Sequence, residues 1–171
     1  MFGKTSFLIL VLSAFFTYCS AQLLDLEEKK PVSDNGIEYG YIIKNEQVKN
    51  AKGEEYSRFE ITVYANNKSG CTRIFGDRAF VLAEENPNLM ATFTCNNANG
   101  KRLTAKSGSV KAHEFYLNLK MQENGRDVTR SVKAGYIFRN SEILKENMIV
   151  LVPKGERPVI QCIVNNPPEL H

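Results

Sequence analysis

Tyr56–Tyr64 (YSRFEITVY) decides the fold. Phe59, Ile61 and Val63 alternate with Arg58, Glu60 and Thr62, so the apolar side chains share one face of an extended chain. The stretch runs into Asn66-Asn67-Lys68-Ser69-Gly70, a dense group of turn formers. A period of two, halted by a turn, predicts a strand with one dry and one wet face.

The same pattern recurs in both directions. Ile37, Tyr39, Tyr41 and Ile43 fall on one face upstream, and Leu89, Ala91, Phe93 and Cys95 on one face downstream. Arg73–Leu82 reads as a strand broken at Gly76-Asp77, and Lys101–Ala105 as a short strand. In Ala112–Met121, Phe115, Leu117, Leu119 and Met121 point inward, while Glu114, Tyr116, Asn118 and Lys120 point out. Val132, Ala134, Tyr136 and Phe138 share a face in the next strand. Met148–Val152 (MIVLV) is continuously apolar, as for a strand covered on both sides. Pro153–Pro158 must be a loop, and Val159–Val164 closes the domain. No amphipathic helix interrupts the series. About seven to nine antiparallel strands separated by turns predict an all-β fold, an immunoglobulin-like β-sandwich over residues 36–166. Residues 22–35 are charged, contain Pro31, and read as a flexible leader; 167–171 read as a tail.

The chain opens on an export signal. Lys4 precedes the apolar run Phe7–Phe16, which is shorter than the roughly 20 residues a membrane span needs. Tyr18-Cys19-Ser20-Ala21 ends it in a small-x-small pattern, predicting cleavage before Gln22 and a secreted or periplasmic product. Two alternatives are an uncleaved anchor and a lipoprotein carried on Cys19, although Tyr18 occupies the position where a lipobox has a small residue. No second run of membrane length follows.

With Lys4 the sole charge in residues 1–21, the 22 basic and 19 acidic side chains become 21 and 19 after cleavage, a net of +2. So weak and scattered a balance argues against a nucleic-acid partner. Three cysteines remain: Cys71, Cys95 and Cys162. An odd count in an oxidising compartment predicts one disulfide and one free thiol. Cys71–Cys95 is the first choice, because both flank turn clusters at one end of a meander. Such a loop stabilises by roughly 3–4 kcal/mol through lost chain entropy. Cys95–Cys162, an inter-sheet bridge, is the rival.

Catalytic motifs are missing. There is no GxSxG, P-loop, GxGxxG or HExxH, and His113 and His171 are the only histidines. Three cysteines without CxxC make a poor metal set, so no metal and no cofactor are expected. The acid pairs Glu27-Glu28, Glu54-Glu55 and Glu84-Glu85 sit in turns or the leader, where solvated charges belong. Asn67-Lys68-Ser69 has the form of a glycosylation sequon and would mark a surface loop. For binding, Lys101, Arg102, Lys106 and Lys111 bracket one hairpin, with Arg126, Arg130 and Lys133 in the next. Side by side these would form a basic edge for an anionic glycan, headgroup or acidic protein; edge lysines that keep a sheet soluble are the plainer reading.

The order FEITVYANN, then ATFTCNNANG, then an apolar strand entering Pro-Lys-Gly-Glu-Arg-Pro resembles the FxLYD-like group of immunoglobulin-like sandwiches in bacterial exported and lipid-anchored proteins, over Tyr56–Val164. It is also similar to small exported proteins of Gram-negative bacteria. This chain departs from them by an insertion at Arg73–Asn88 and by its three cysteines. The resemblance implies a fold and a compartment and brings no catalytic residue. The expected function is a non-enzymatic envelope module binding a protein or glycan through loops near Asn67–Cys71 and Asn96–Gly100. A lipid-anchored accessory subunit of a transport or secretion complex, and a small hydrolase without a known motif, are the alternatives.

Overall fold

The computed structural model describes residues 22–51, 53–76, 88–96 and 108–165, all of it β-structure and connections. The signal segment, the 167–171 tail, the Glu84-Glu85 pair, and the strand readings at Asp77–Leu82 and Lys101–Ala105 lie outside these residues. Among the described residues there are eleven strands: β1 (Gln22–Leu26), β2 (Val32–Asp34), β3 (Ile37–Ala51), β4 (Glu54–Asn67), β5 (Arg73–Gly76), β6 (Leu89–Asn96), β7 (Gly108–Lys111), β8 (His113–Glu123), β9 (Arg126–Phe138), β10 (Ile143–Pro153) and β11 (Val159–Val164).

They form three antiparallel sheets, in the orders β1-β11-β6-β7, β10-β4-β3-β2 and β5-β9-β8. The first two stack as a sandwich. A methyl added at Gly108 on β7 would come within 2.9 Å of Val63 Cγ2 on β4 and 3.4 Å of Met148 Sδ on β10, so β7 lies directly on the second sheet. Phe59, Ile61, Val63, Phe93, Val150, Val152 and Ile160 are buried in the one core, and Phe75, Tyr136 and Phe138 carry the third sheet into it. The alternation of Tyr56–Tyr64 thus has the meaning the sequence gives it: Phe59, Ile61 and Val63 face the other sheet.

Four expectations change. Residues 22–35 are not a leader. β1 pairs with β11 from Gln22↔Val164 to Leu26↔Ile160, burying Leu24 and Leu26, and β2 then joins the other sheet beside β3. The chain crosses between sheets within a few residues, and its two edge strands raise the total above the expected count. Second, Met148–Val152 is covered on one side only: Met148, Val150 and Val152 are buried, while Ile149 and Leu151 are about half exposed. The outer face of this sheet is solvated along β10, an edge strand whose one neighbour among the described residues is β4. Third, β8 turns its apolar residues away from the core, as described below. Fourth, no disulfide joins the described cysteines.

Two hairpins close on Asn-Gly. Asn35-Gly36 and Asn124-Gly125 both have positive φ at both residues, the conformation that matches a two-residue turn to strand twist. The second of these joins β8 to β9, whose pairing runs from Glu123↔Arg126 to His113↔Ile137.

Candidate functional site

The β8–β9 hairpin carries an irregularity that sets its chemistry. Phe115 pairs with Gly135 but Tyr116 pairs with Lys133, so Ala134 is an extra residue on β9. A bulge of this kind advances the side-chain alternation by one. Gly135 is held at φ +151°, and a Cβ there would lie 2.2 Å from the Phe75 carbonyl oxygen of β5. Glycine is therefore what allows β5 to approach at this point.

On the core side of the bulge, Tyr136 and Phe138 are buried. Beyond it, their face continues as Tyr116, Asn118, Lys120, Gln122, Thr129 and Ser131, which is polar. The opposite, outer face carries Leu117, Leu119, Met121 and Val132, all more than two-fifths exposed. Ile74 on β5 and half-buried Phe115 and Ile137 extend it. The sequence reading that turned Phe115, Leu117, Leu119 and Met121 inward is corrected. The alternation is as read, but the core covers the opposite face only around Tyr136 and Phe138; beyond the bulge the hairpin is exposed on both faces. Val132 likewise does not share a face with Tyr136. Arg130 bonds Glu123 at 2.5 Å at the rim of the outer face.

The basic-edge expectation fares differently. Lys101, Arg102 and Lys106 lie outside the described residues, and Lys111 is exposed at the end of β7. The second cluster is split between two faces. Arg130 is on the outer face with Glu123, while Lys133 on the other face contacts Glu114 at 3.0 Å, donates to Tyr136 Oη at 2.6 Å and lies 4.4 Å from that ring. Hydrogen bonds from Tyr116 and Lys133 hold the Glu114 carboxyl below the usual carboxylate range.

Cys71, Cys95 and Cys162 are all free thiols, so the expected Cys71–Cys95 bridge is absent. Cys71 is exposed on the β4–β5 connection, whereas Cys95 is buried on the inner face of β6. Among the described residues β6 pairs with β11 and β7, so no shared ladder there brings the two together. Cys95 lies opposite Ile160, and Cys162 opposite Phe93 on the adjacent strand. This diagonal offset leaves the rival pair unbonded as well. Burial pushes the Cys95 thiol up to about 11 and the Cys162 thiol up to about 12, so both are protonated and inert at neutral pH.

Asn67, expected on a surface loop, is completely buried. Its Nδ2 donates to the carbonyls of Cys71 (2.9 Å), Phe138 (3.0 Å) and Arg139 (3.1 Å). Its Oδ1 accepts from Ser69 N at 3.1 Å and Ser69 Oγ at 2.6 Å. The sequon side chain is thus a fastener between the end of β4 and two connections, and its nitrogen is not accessible for a glycan in the folded chain.

The remaining candidates are ordinary surface groups. His113 meets Glu142 at 3.0 Å and is half exposed. Glu27 and Glu28 pair with Lys30 and Lys29, Glu54 accepts from Tyr56, and Glu55 pairs with Lys154. A shallow concavity of about 310 Å³ lies on the outer face where β3 bulges after Ile43, lined by Lys44, Glu60, Ile61, Asn147, Met148 and Ile149. Its carboxylate, Glu60, is tied to Arg58 at 2.5 Å, which keeps it ionised, and Asn147 accepts from Thr62 at 2.7 Å. The lining therefore offers a single ion-paired acid and one amine, Lys44, with no hydroxyl, thiol or imidazole beside them. Among the described residues no cluster of metal-ligating side chains forms, and no helix is long and apolar enough to cross a membrane.

Sequence reasoning missed the outer face of the third sheet. The alternation of Phe115, Leu117, Leu119 and Met121 is legible in the sequence, but the face they belong to is not. No family model, curated protein or solved structure matches this chain.

Proposed function

We propose that this chain is a non-enzymatic, exported immunoglobulin-like module that binds a protein at the cell envelope through the outer face of the β5-β9-β8 sheet. One observation carries the reading: Leu117, Leu119, Met121 and Val132 form a contiguous apolar surface on a hairpin, directed away from the core and rimmed by the Arg130–Glu123 pair. Soluble domains rarely leave such a patch open without a use for it. A protein surface is the matching ligand class, because aliphatic side chains with a charged rim give the dry centre and polar border of an interface. A glycan would need hydrogen-bonding groups where this face has hydrocarbon.

Export is supported by the Lys4, Phe7–Phe16 and Cys19–Ala21 pattern, with Gln22 as the first residue after cleavage. The inert buried thiols and the surface placement of His113 weigh against the hydrolase alternative.

The test is capture from envelope extract with a photoreactive residue placed at Leu119, compared with the same group at Lys145 on β10. A discrete protein adduct from position 119 alone, lost when Leu117 and Val132 become serine, supports the reading. Adducts that are equal at both positions, or insensitive to those substitutions, overturn it.

A further inference from the structure

We infer that β8 pairs, antiparallel and about a two-fold axis at Asn118, with β8 of a second copy of this chain. The inference concerns the edge of the third sheet and adds to the proposed use of its outer face.

The edge is unusual within this fold. Among the described residues β8 is hydrogen-bonded on one side only, to β9. It is eleven residues long, contains neither proline nor glycine, and its bulge partner Ala134 is on β9, so β8 itself keeps an unbroken pleat. Every residue from Tyr116 to Gln122 is exposed. Proteins ordinarily blunt such edges by shortness, proline or a bulge. The chain does so elsewhere: β1, β2, β5 and β7 are three to five residues long, and β10 ends on Pro153. On β8 those devices are absent.

The sequence of β8 is complementary to itself. Two copies related by an axis perpendicular to the sheet must pair residues on the same face, so the axis passes through a residue. Centring it on Asn118 engages the whole strand. Leu117 then opposes Leu119, Phe115 opposes Met121, Tyr116 opposes Lys120, and His113 opposes Glu123, each pair occurring twice. On the outer face apolar meets apolar between Phe115 and Met121 with a His113–Glu123 pair at each end, on the other face an aromatic ring meets a cation, and no like charges face each other; such opposed pairs are the unit of sheet stabilisation. A shift by two residues toward the C-terminus would set Phe115 against Glu123. One toward the N-terminus would set His113 against Met121 and leave Gln122 and Glu123 outside the overlap. The result is a six-strand sheet, β5-β9-β8 continued by β8-β9-β5 of the partner, an isologous interface closed at two copies.

A residue on the axis faces itself, and this gives a register-specific test. Asn118 is exposed, so its substitution leaves the fold intact. Light scattering of purified protein at micromolar concentration should report a dimer. Asn118→Lys alone and Asn118→Glu alone should each report a monomer, and an equal mixture of the two should report a dimer again. In a Cys71→Ser background, Asn118→Cys should cross-link to itself under oxidised glutathione, whereas Leu117→Cys and Leu119→Cys should each cross-link only when mixed with the other. A wild-type monomer, a dimer indifferent to charge at position 118, or self-cross-linking at 117 or 119 overturns the inference. A monomeric wild type whose position-119 photoadduct persists would sink the dimer and leave the proposed protein-binding face standing; loss of the adduct with an intact dimer would do the reverse.

Discussion

Val132 and Tyr136 lie on opposite faces of β9 although they are four positions apart. Tyr136 is buried and Val132 is 44% exposed. In a regular strand an even separation keeps two side chains on one face. Here the extra residue Ala134 reverses the alternation, so a strand whose upper half belongs to the core offers its lower half to solvent. The inserted position brings Val132 onto the outer face beside Leu117, Leu119 and Met121, which the unbroken pleat of β8 already places there.

Gly135 is the residue that makes the bulge possible, and Gly135→Ala is expected to be costly. The new methyl would be driven into the Phe75 carbonyl, and the φ of +151° is strained for any L side chain. Strain of this kind costs about 1–3 kcal/mol before any displacement of β5 is counted. Chemical denaturation should show a lower midpoint with little change in slope. A midpoint within error of wild type would mean the bulge relocates freely.

Asn67→Ala should destabilise by about 1–3 kcal/mol, because it removes the donor to the buried Phe138 carbonyl and loosens the connections at Cys71 and Arg139, whose carbonyls keep Ser69 Oγ and Glu142 N as partners. Asn67→Asp should do no better. A carboxylate cannot donate to those three carbonyls, although it can still accept from Ser69. Comparing the two by thermal unfolding separates the donor role from simple volume. An aspartate variant as stable as wild type would show that the donated bonds contribute little.

Much of this fold is legible in the sequence, and the parts that are not share one cause. Phe59, Ile61, Val63, Tyr39, Tyr41 and Phe93 are all where their alternation places them, since each is on a central, regular strand with a sheet on one side. Period-two reasoning says which residues share a face; it does not say which face is covered. For β8 and β10 coverage is decided by neighbours distant in sequence, and the apolar faces of Leu117 and Ile149 look the same in the sequence as that of Phe59. The bulge at Ala134 is equally silent, since an Ala-Gly pair has no distinctive signal. Asn67 was visible as a turn residue, but its burial depends on connections that arrive from residues 138–142.

The exposed apolar face predicts measurable dye binding by the native protein. Replacing Leu119, Met121 and Val132 with serine should sharply reduce native-state fluorescence of a hydrophobic probe such as ANS. Stability should change by less than about 1 kcal/mol, because these side chains leave little protected surface behind. A large loss of stability would show instead that the face is packed in solution.

The buried thiols predict both a reactivity pattern and an alkaline limit. At pH 8 the protein beginning at Gln22 should yield one rapidly alkylated cysteine, Cys71, with Cys95 and Cys162 reacting only after unfolding. Burial raises their folded values to about 11 and about 12, above the ordinary thiol value of 9.0. An acid whose folded value is raised contributes stability that is fully present below its unfolded value and is lost as pH climbs toward the folded one. Stability should therefore be flat from neutral pH to about 9 and fall steadily above it, because the unfolded chain releases two thiol protons that the folded chain retains. Burial raises Tyr39 in the same direction and steepens the fall near its own ionisation. Replacing Cys95 and Cys162 with alanine should lower stability at pH 7 by leaving small voids, yet flatten the decline between about pH 9 and 10, before the tyrosines ionise. Denaturant midpoints measured for both proteins across that range decide it. A decline equally steep in the double variant would place the alkaline sensitivity in groups other than these thiols.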